Sequence, residues 1–275
     1  MAIAESGESV DSKTKFKRPW AGEGRLWLIS ILVFVLVIST FEAVVRLGWI
    51  SDFFIPTPSS VAVELSILLQ QGRFWIHILS TIQAIIFGFF LSFALALILG
   101  SLVGIFRAME LIVYPYVTLL QAVPKIALAP LVILWLGFGL SSKVVVAAAV
   151  AFFPIFVNVV EGVRTVDNRL LDYFFIQGAT KWEGLVYLRI PNALPFLISG
   201  MRVGMAFAIL GSIVAEFVGS TQGLGYFLIQ QKSALNIPGA FAAIVVMMIF
   251  GLINHAVFSV LEDRLLYWSR ARERN

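Results

Sequence analysis

Six stretches of this chain are apolar for long enough to cross a lipid bilayer as helices, which removes soluble architectures from consideration. A hydrocarbon core about 30 Å thick takes about 20 apolar helical residues. The stretches run at 26–45, 77–105, 111–136, 144–160, 193–218 and 240–261. The second and third exceed the minimum and are expected to tilt. Composition agrees: 60% of the 275 residues are hydrophobic and 13% are charged, against about 45–50% and about 25% in soluble domains. In lipid each backbone N–H and C=O must be paired inside the protein, so the expected fold class is all-α, a polytopic bundle of about six transmembrane helices.

Positive charge orients the bundle, because cytoplasmic flanks keep lysine and arginine. With the amino terminus inside, 14 of the 20 basic residues are cytosolic, among them Arg107, Arg164, Arg169, Lys181, Arg189 and Arg264. The outer face then holds Arg46, Arg73, Lys143 and Lys232, while Lys125 and Arg202 fall within spans. Both termini are expected in the cytosol. Residues 1–24 read as a disordered cytosolic tail, 25–270 as one transmembrane domain with a cytosolic loop at 164–191, and 271–275 as a short cytosolic tail. The first span lacks a small-residue cleavage site and reads as retained, not as a signal peptide. In the first outer loop, Pro58 can open a helix with Val61, Leu65, Leu68 and Leu69 on one side, suited to the outer interface.

Several chemistries are excluded by residue type. There is no cysteine and there are only two histidines, which leaves no thiolate site and no zinc constellation. The stretch GFGLSSKV from Gly137 lacks the second glycine of a phosphate-cradling loop and the hydroxyl after its lysine. A modest net charge of +4 gives no reason to expect nucleic acid as a partner.

The polar insert between Arg164 and Pro195 reads as two short helices joined by a turn. Asp167 or Asn168 can cap the first, whose Leu170, Leu171, Phe174 and Phe175 form one apolar stripe, and Gly178 suits the left-handed residue that stops it. Thr180 with Glu183 three residues on makes a capping box for the second, which Pro191 is expected to end. An apolar stripe on a cytosolic helix must meet a partner groove, a membrane surface or its own bundle.

Here the residues carry a resemblance. Gly178, nine residues, then Leu188, Arg189, Ile190 and Pro191 resemble the second half of the "EAA" loop of ABC importer permeases. The likeness continues through ALPFLISGMR and AEFVGSTQGLGY, with PTPS at Pro56 and PKIALAPLVILWLGFG at Pro124 upstream and the ending 261–268 downstream. It covers nearly everything from Pro56 to Arg270 and is most similar to the nitrate, sulfonate, taurine and pyrimidine-precursor permeases. One departure stands out: where the family has Glu-Ala-Ala, this chain has Asp172, Tyr173 and Phe174, which implies a partner groove enlarged to receive rings.

The resemblance implies a type I importer. A second permease copy would pair with this one, and a cytosolic ABC ATPase dimer would receive the coupling helix. An extracytoplasmic solute-binding protein would deliver the solute at the inner membrane. It assigns Asp172, Phe174, Phe175, Gly178, Ala179 and Pro191 to ATPase coupling. The chain would bind no cofactor of its own, ATP and magnesium belonging to the partner ATPase, and would not be an enzyme.

Three polar residues inside the spans are candidates for the solute pathway: Gln121, Lys125 and Glu216. Lys125 lies between Pro124 and Pro130, where a charge is costly unless it faces a cavity or a partner. It either draws an anionic group through, or snorkels or pairs with an acid such as Glu216. Glu216 fits a gate, a binding-protein contact or a solvated helix end. Arg202 reads as an anchor to lipid phosphate or to backbone carbonyls, and Gly100 with Gly104 and Gly200 with Gly204 read as close-packing pairs. A stand-alone channel or secondary carrier would show internal repeats with paired broken helices, and a membrane enzyme would need a clustered nucleophile or metal set. Lys125 tilts the expected solute toward a small organic anion of sulfonate, taurine or carboxylate type, with a neutral pyrimidine-like or other heteroaromatic solute as the alternative.

Overall fold

The structure is a computed structural model that describes residues 23–166 and 168–266. The expected tails, apart from Glu23 and Gly24, and the cap assigned to Asp167 lie outside the described residues, as does the side chain of Asn168. Among the described residues there is no strand. Five helices are long and apolar enough to cross a membrane: α1 (Glu23–Arg46), α3 (Gly72–Ile105), α6 (Leu140–Arg164), α9 (Ile190–Val218) and α11 (Ile237–Leu265).

The remaining span is broken. Helix α4 (Arg107–Ala122) and helix α5 (Ala129–Leu136) are joined by a 3-10 turn at Lys125–Leu128 and meet at 80°. Pro124 has no N–H to continue the ladder and holds Val123 in extended backbone, ψ 128°. The sequence expectation of one span at 111–136 is thus two short helices around a corner, with Lys125 at the corner.

Helices α3, α6 and α9 form the centre, with Phe89, Ala96, Val103, Ile155, Phe156, Val159 and Ala208 buried between them. Apolar burial alone does not drive helices together in lipid, so close backbone approach and van der Waals fit must do so. The glycine pairs provide it. A β-carbon at Gly100 would lie 2.8 Å from Val159 Cγ1, one at Gly104 2.8 Å from Val163 and one at Gly200 2.6 Å from Asn158, while one at Gly204 would strike Ile155. Both pairs therefore seat α6, one from each side, as packing features.

Helix α2 (Pro58–Gln70) starts at Thr57, whose hydroxyl accepts from Ser60 N, with Pro58 in the first turn. Its Val61 and Leu68 are buried in a second cluster with Phe74, Phe227, Ala242 and Val246. Leu69, expected on that same side, is exposed. Helix α1 is peripheral and almost wholly exposed along its length. It is tied to α2 by Glu42, which accepts from Arg46 Nε at 2.7 Å and from Ser59 Oγ at 2.6 Å.

Arg202 turns out to have a protein partner: its guanidinium reaches both oxygens of Glu262 at 3.1 Å and lies 3.5 Å from His255 Nδ1. That acid lies on α11, sixty residues away in sequence.

Candidate translocation pathway and coupling loop

The insert folds as its turn chemistry dictates. Helix α7 (Asn168–Ile176) ends where Gly178 takes φ +85°. There Gly178 N–H donates to Phe175 O at 3.0 Å and Ala179 N–H to Phe174 O at 3.1 Å, the paired bonds of a left-handed helix stop. Thr180 N–H then donates to Glu183 Oε2 at 2.7 Å and Glu183 N–H to Thr180 Oγ1 at 3.2 Å, which is the reciprocal capping box. The backbone N–H of Thr180 and then its hydroxyl hold the Glu183 carboxyl below the usual carboxylate range.

One boundary differs from the sequence reading. Helix α8 (Lys181–Gly184) does not end at Pro191. It passes through a π-turn at Leu185–Arg189 into α9, in whose first turn Pro191 sits. Pro191 therefore lies in the first turn of the span and not at the close of the preceding helix. The π-turn carries the chain from loop to span without a break in the helix.

Among its described side chains, the stripe of α7 is only partly covered. Leu170 and Phe175 are exposed, Phe174 and Ala179 are half-buried, and Asp172 and Tyr173 face outward. A nine-residue helix with unburied rings has little reason to hold its shape alone. The Gly178 stop fixes its carboxyl end, which suits a rigid contact surface.

Lys125 and Gln121 are brought together at the α4 corner. Lys125 Nζ donates to Gln121 O at 3.1 Å and stands 4.1 Å from the centre of the Phe153 ring. Two clefts meet there. One, of about 460 Å³, is lined by Gln121, Pro124, Lys125, Phe153, Pro154 and Phe207. The other, of about 440 Å³, has Lys125 and Phe153 in an apolar wall that includes Leu91, Leu95, Leu120 and Phe152. A lone ammonium in an apolar and aromatic wall can attract an anion or a polarised ring substituent, since little competes for its charge.

Glu216 is not with them. It is 2% exposed, at the opposite end of the bundle from the α7 loop, in a network that the sequence reading did not foresee. Thr81 Oγ1 donates to its Oε1 at 2.8 Å, Gly225 N–H donates to Oε2 at 2.8 Å, and Lys143 Nζ lies 3.4 Å from Oε1. Lys143, expected on the outer flank, is itself 2% exposed. Helix α6 starts at Leu140, before the expected 144, which draws Lys143 into the bundle. Its ammonium also donates to Ser80 Oγ at 2.6 Å and to Gln222 O at 3.0 Å.

This network pins the loop before helix α10 (Leu224–Ser233). Gly223 N–H donates to His77 Nδ1 at 3.1 Å and Leu224 N–H to Thr81 Oγ1 at 2.8 Å. Gly223 has φ +122°, and a β-carbon there would strike the Glu216 carboxylate. The SerThr pair at 80–81 inside an apolar run was the available sequence signal. Its partners lie more than sixty residues away, so pattern alone could not pair them.

The sequence profile described as "Binding-protein-dependent transport system inner membrane component" matches residues 92–267. The chain is 36% identical over 268 residues to the riboflavin transport system permease RibX of Chloroflexus aurantiacus, covering 98% of this chain and 97% of that protein. It is 32% identical to the formylaminopyrimidine transport permease ThiX of Halalkalibacterium halodurans, over 87% of this chain and 95% of the relative. It is 30% identical to the putative aliphatic sulfonates permease SsuC of Bacillus subtilis, over 90% of each. Among solved structures, the inward-facing MetNI methionine ABC transporter shares the fold, with a TM-score of 0.60 and 18% identity across 70% of this chain and 96% of the solved chain. Apolar spans, the capped insert, the profile match and these relatives converge: the chain belongs to the family of binding-protein-dependent transport system inner membrane components, the membrane-spanning permeases of ABC importers.

Proposed function

We propose that this chain is the pathway-forming subunit of an ATP-driven importer for a small organic solute. Two permease copies would enclose the pathway, and a cytosolic ABC ATPase dimer would grip α7. An extracytoplasmic binding protein would hand over the solute on the opposite side. Both termini face the cytosol in this reading, as the lysine and arginine distribution supports. The observation that carries it is α7 itself: a short helix capped at its carboxyl end by Gly178, with Leu170 and Phe175 uncovered. Aromatic anchors give a large contact area with few rotatable bonds, which suits force transmission.

The solute passes Lys125 and Gln121, and the lone cation favours an organic anion such as a sulfonate or carboxylate. A second reading, a neutral heteroaromatic solute, is favoured by the Phe153 and Phe207 walls and by the relatives named for riboflavin and formylaminopyrimidine. Proteoliposomes holding the permease with its ATPase test the function. Uptake that needs ATP, the ATPase and the binding protein together supports it, and uptake by the permease alone contradicts it. Competition between an alkyl sulfonate and an aminopyrimidine for that uptake separates the two solutes.

A further inference from the structure

We propose that a polar pocket beside the coupling loop holds the phosphate headgroup of an anionic phospholipid. The pocket, of about 310 Å³, lies where the carboxyl end of α3, the start of α4, the end of α6 and the π-turn before α9 converge. Its polar lining is Arg107, Arg164, Arg189 and Glu110. Glu110 Oε2 accepts from Arg107 at 2.8 Å and from Arg164 at 3.1 Å. Arg189 makes no hydrogen bond or ion pair among the described residues. Among the described residues, the lining sets three guanidiniums against one carboxylate, an excess of two positive charges. Guanidiniums match phosphate oxygens in a planar, two-pronged geometry, so the shared chemistry is a phosphate or phosphodiester anion.

The apolar surroundings select the source. Val103, Gly104 and Ile105 form the inner wall, and Phe106, Leu111 and Ile112 are exposed beside the arginines. Leu111 follows Arg107 by about one helical turn, so charge and greasy surface share a face of α4. That order, cation at the bundle end and exposed hydrocarbon toward its middle, is the profile of a lipid with an anionic head. An acidic patch of the ATPase would meet the cations but would leave Phe106 and Leu111 unserved. The side of the membrane rests on the proposed orientation; the binding itself does not depend on transport.

The test uses the full chain in detergent micelles containing equal phosphatidylglycerol and phosphatidylethanolamine, read by native mass spectrometry. Wild type is expected to retain phosphatidylglycerol preferentially. Arg189→Gln is expected to lower that retention about fivefold, the weight of one basic residue near an anionic surface. Arg107→Gln, on an exposed side chain, is expected to do the same and decides the matter if Arg189→Gln fails to fold. Arg189→Lys should keep most of the retention. Unchanged phosphatidylglycerol retention in both Arg189→Gln and Arg107→Gln overturns the proposal. So does complete displacement by millimolar inorganic phosphate, which would assign a free anion. Because the readout needs no ATP or solute, failure here is separable from failure of the transport reading.

Discussion

Lys143 Nζ lies 3.4 Å from Glu216 Oε1, with 2% of the lysine side chain and none of the glutamate side chain exposed. The pair joins α6 to the end of α9, while Ser80 and Thr81 on α3 and the Gly223 loop complete its hydrogen bonds. Losing one member of such a pair strands the other charge in a low-dielectric interior, at a cost of about 3–5 kcal/mol. Lys143→Met is therefore expected to be strongly destabilising. The double variant Lys143→Met with Glu216→Gln should recover about 1–3 kcal/mol of the loss. Unfolding in detergent measures both, and additive losses would show that the two side chains do not act as a pair.

At Gly178 the backbone sits at φ +85° with nothing within 4 Å of an added β-carbon. Space is free, so conformation and surface chemistry are separable here. Asparagine and aspartate both tolerate the left-handed region. Gly178→Asn is expected to keep most ATP-driven uptake, whereas Gly178→Asp, which adds a negative charge to the docking surface, should abolish it with insertion intact. Equal uptake by the two variants would remove the ATPase contact from this turn.

The capping box carries a pH dependence of known sign. The Glu183 carboxyl is held below its ordinary value by the N–H and hydroxyl of Thr180. A depressed folded value means that the stabilisation is complete above the unfolded carboxylate value of about 4.3 and is lost as pH falls through the folded value. Local hydrogen-exchange protection at Thr180 and Glu183 should therefore hold flat at neutral pH and fall under acid. Glu183→Gln should flatten that acid dependence, and an unaltered profile in this variant would assign it to another group.

For the pathway, Lys125→Met keeps bulk at the α4 corner and removes the ammonium that bonds Gln121 O. Uptake of an anionic solute is expected to fall at least tenfold, about 1.4 kcal/mol of lost attraction, with assembly unchanged. Phe153→Leu should instead lower uptake of a heteroaromatic solute. If neither variant changes uptake, Lys125 and Phe153 serve packing only.

The bilayer makes part of this molecule legible from residue order alone. The stop at Gly178 and the box at Thr180 and Glu183 depend on neighbours within a few positions, and each stands where local chemistry puts it. Contacts across the bundle do not. Lys143 reads as an outer-loop cation because four residues decide whether α6 begins before or after it, and its partners Ser80 and Glu216 are 63 and 73 residues away. Arg202 likewise finds Glu262 only once α11 folds back. Pro191 carries the same local signal at the end of one helix as at the start of the next. The structure decides between them, with Pro191 in the first turn of α9.

The central claim is that α7 is the contact through which an ATPase on the cytosolic side drives the pathway. The chain contains no cysteine, so Phe175→Cys introduces a unique thiol on an exposed position of α7. Labelling it with a membrane-impermeant maleimide in right-side-out and inside-out vesicles is the most direct measurement. The account predicts labelling only from the cytosolic side, with protection when the ATPase is bound. Labelling from the outer side would contradict it.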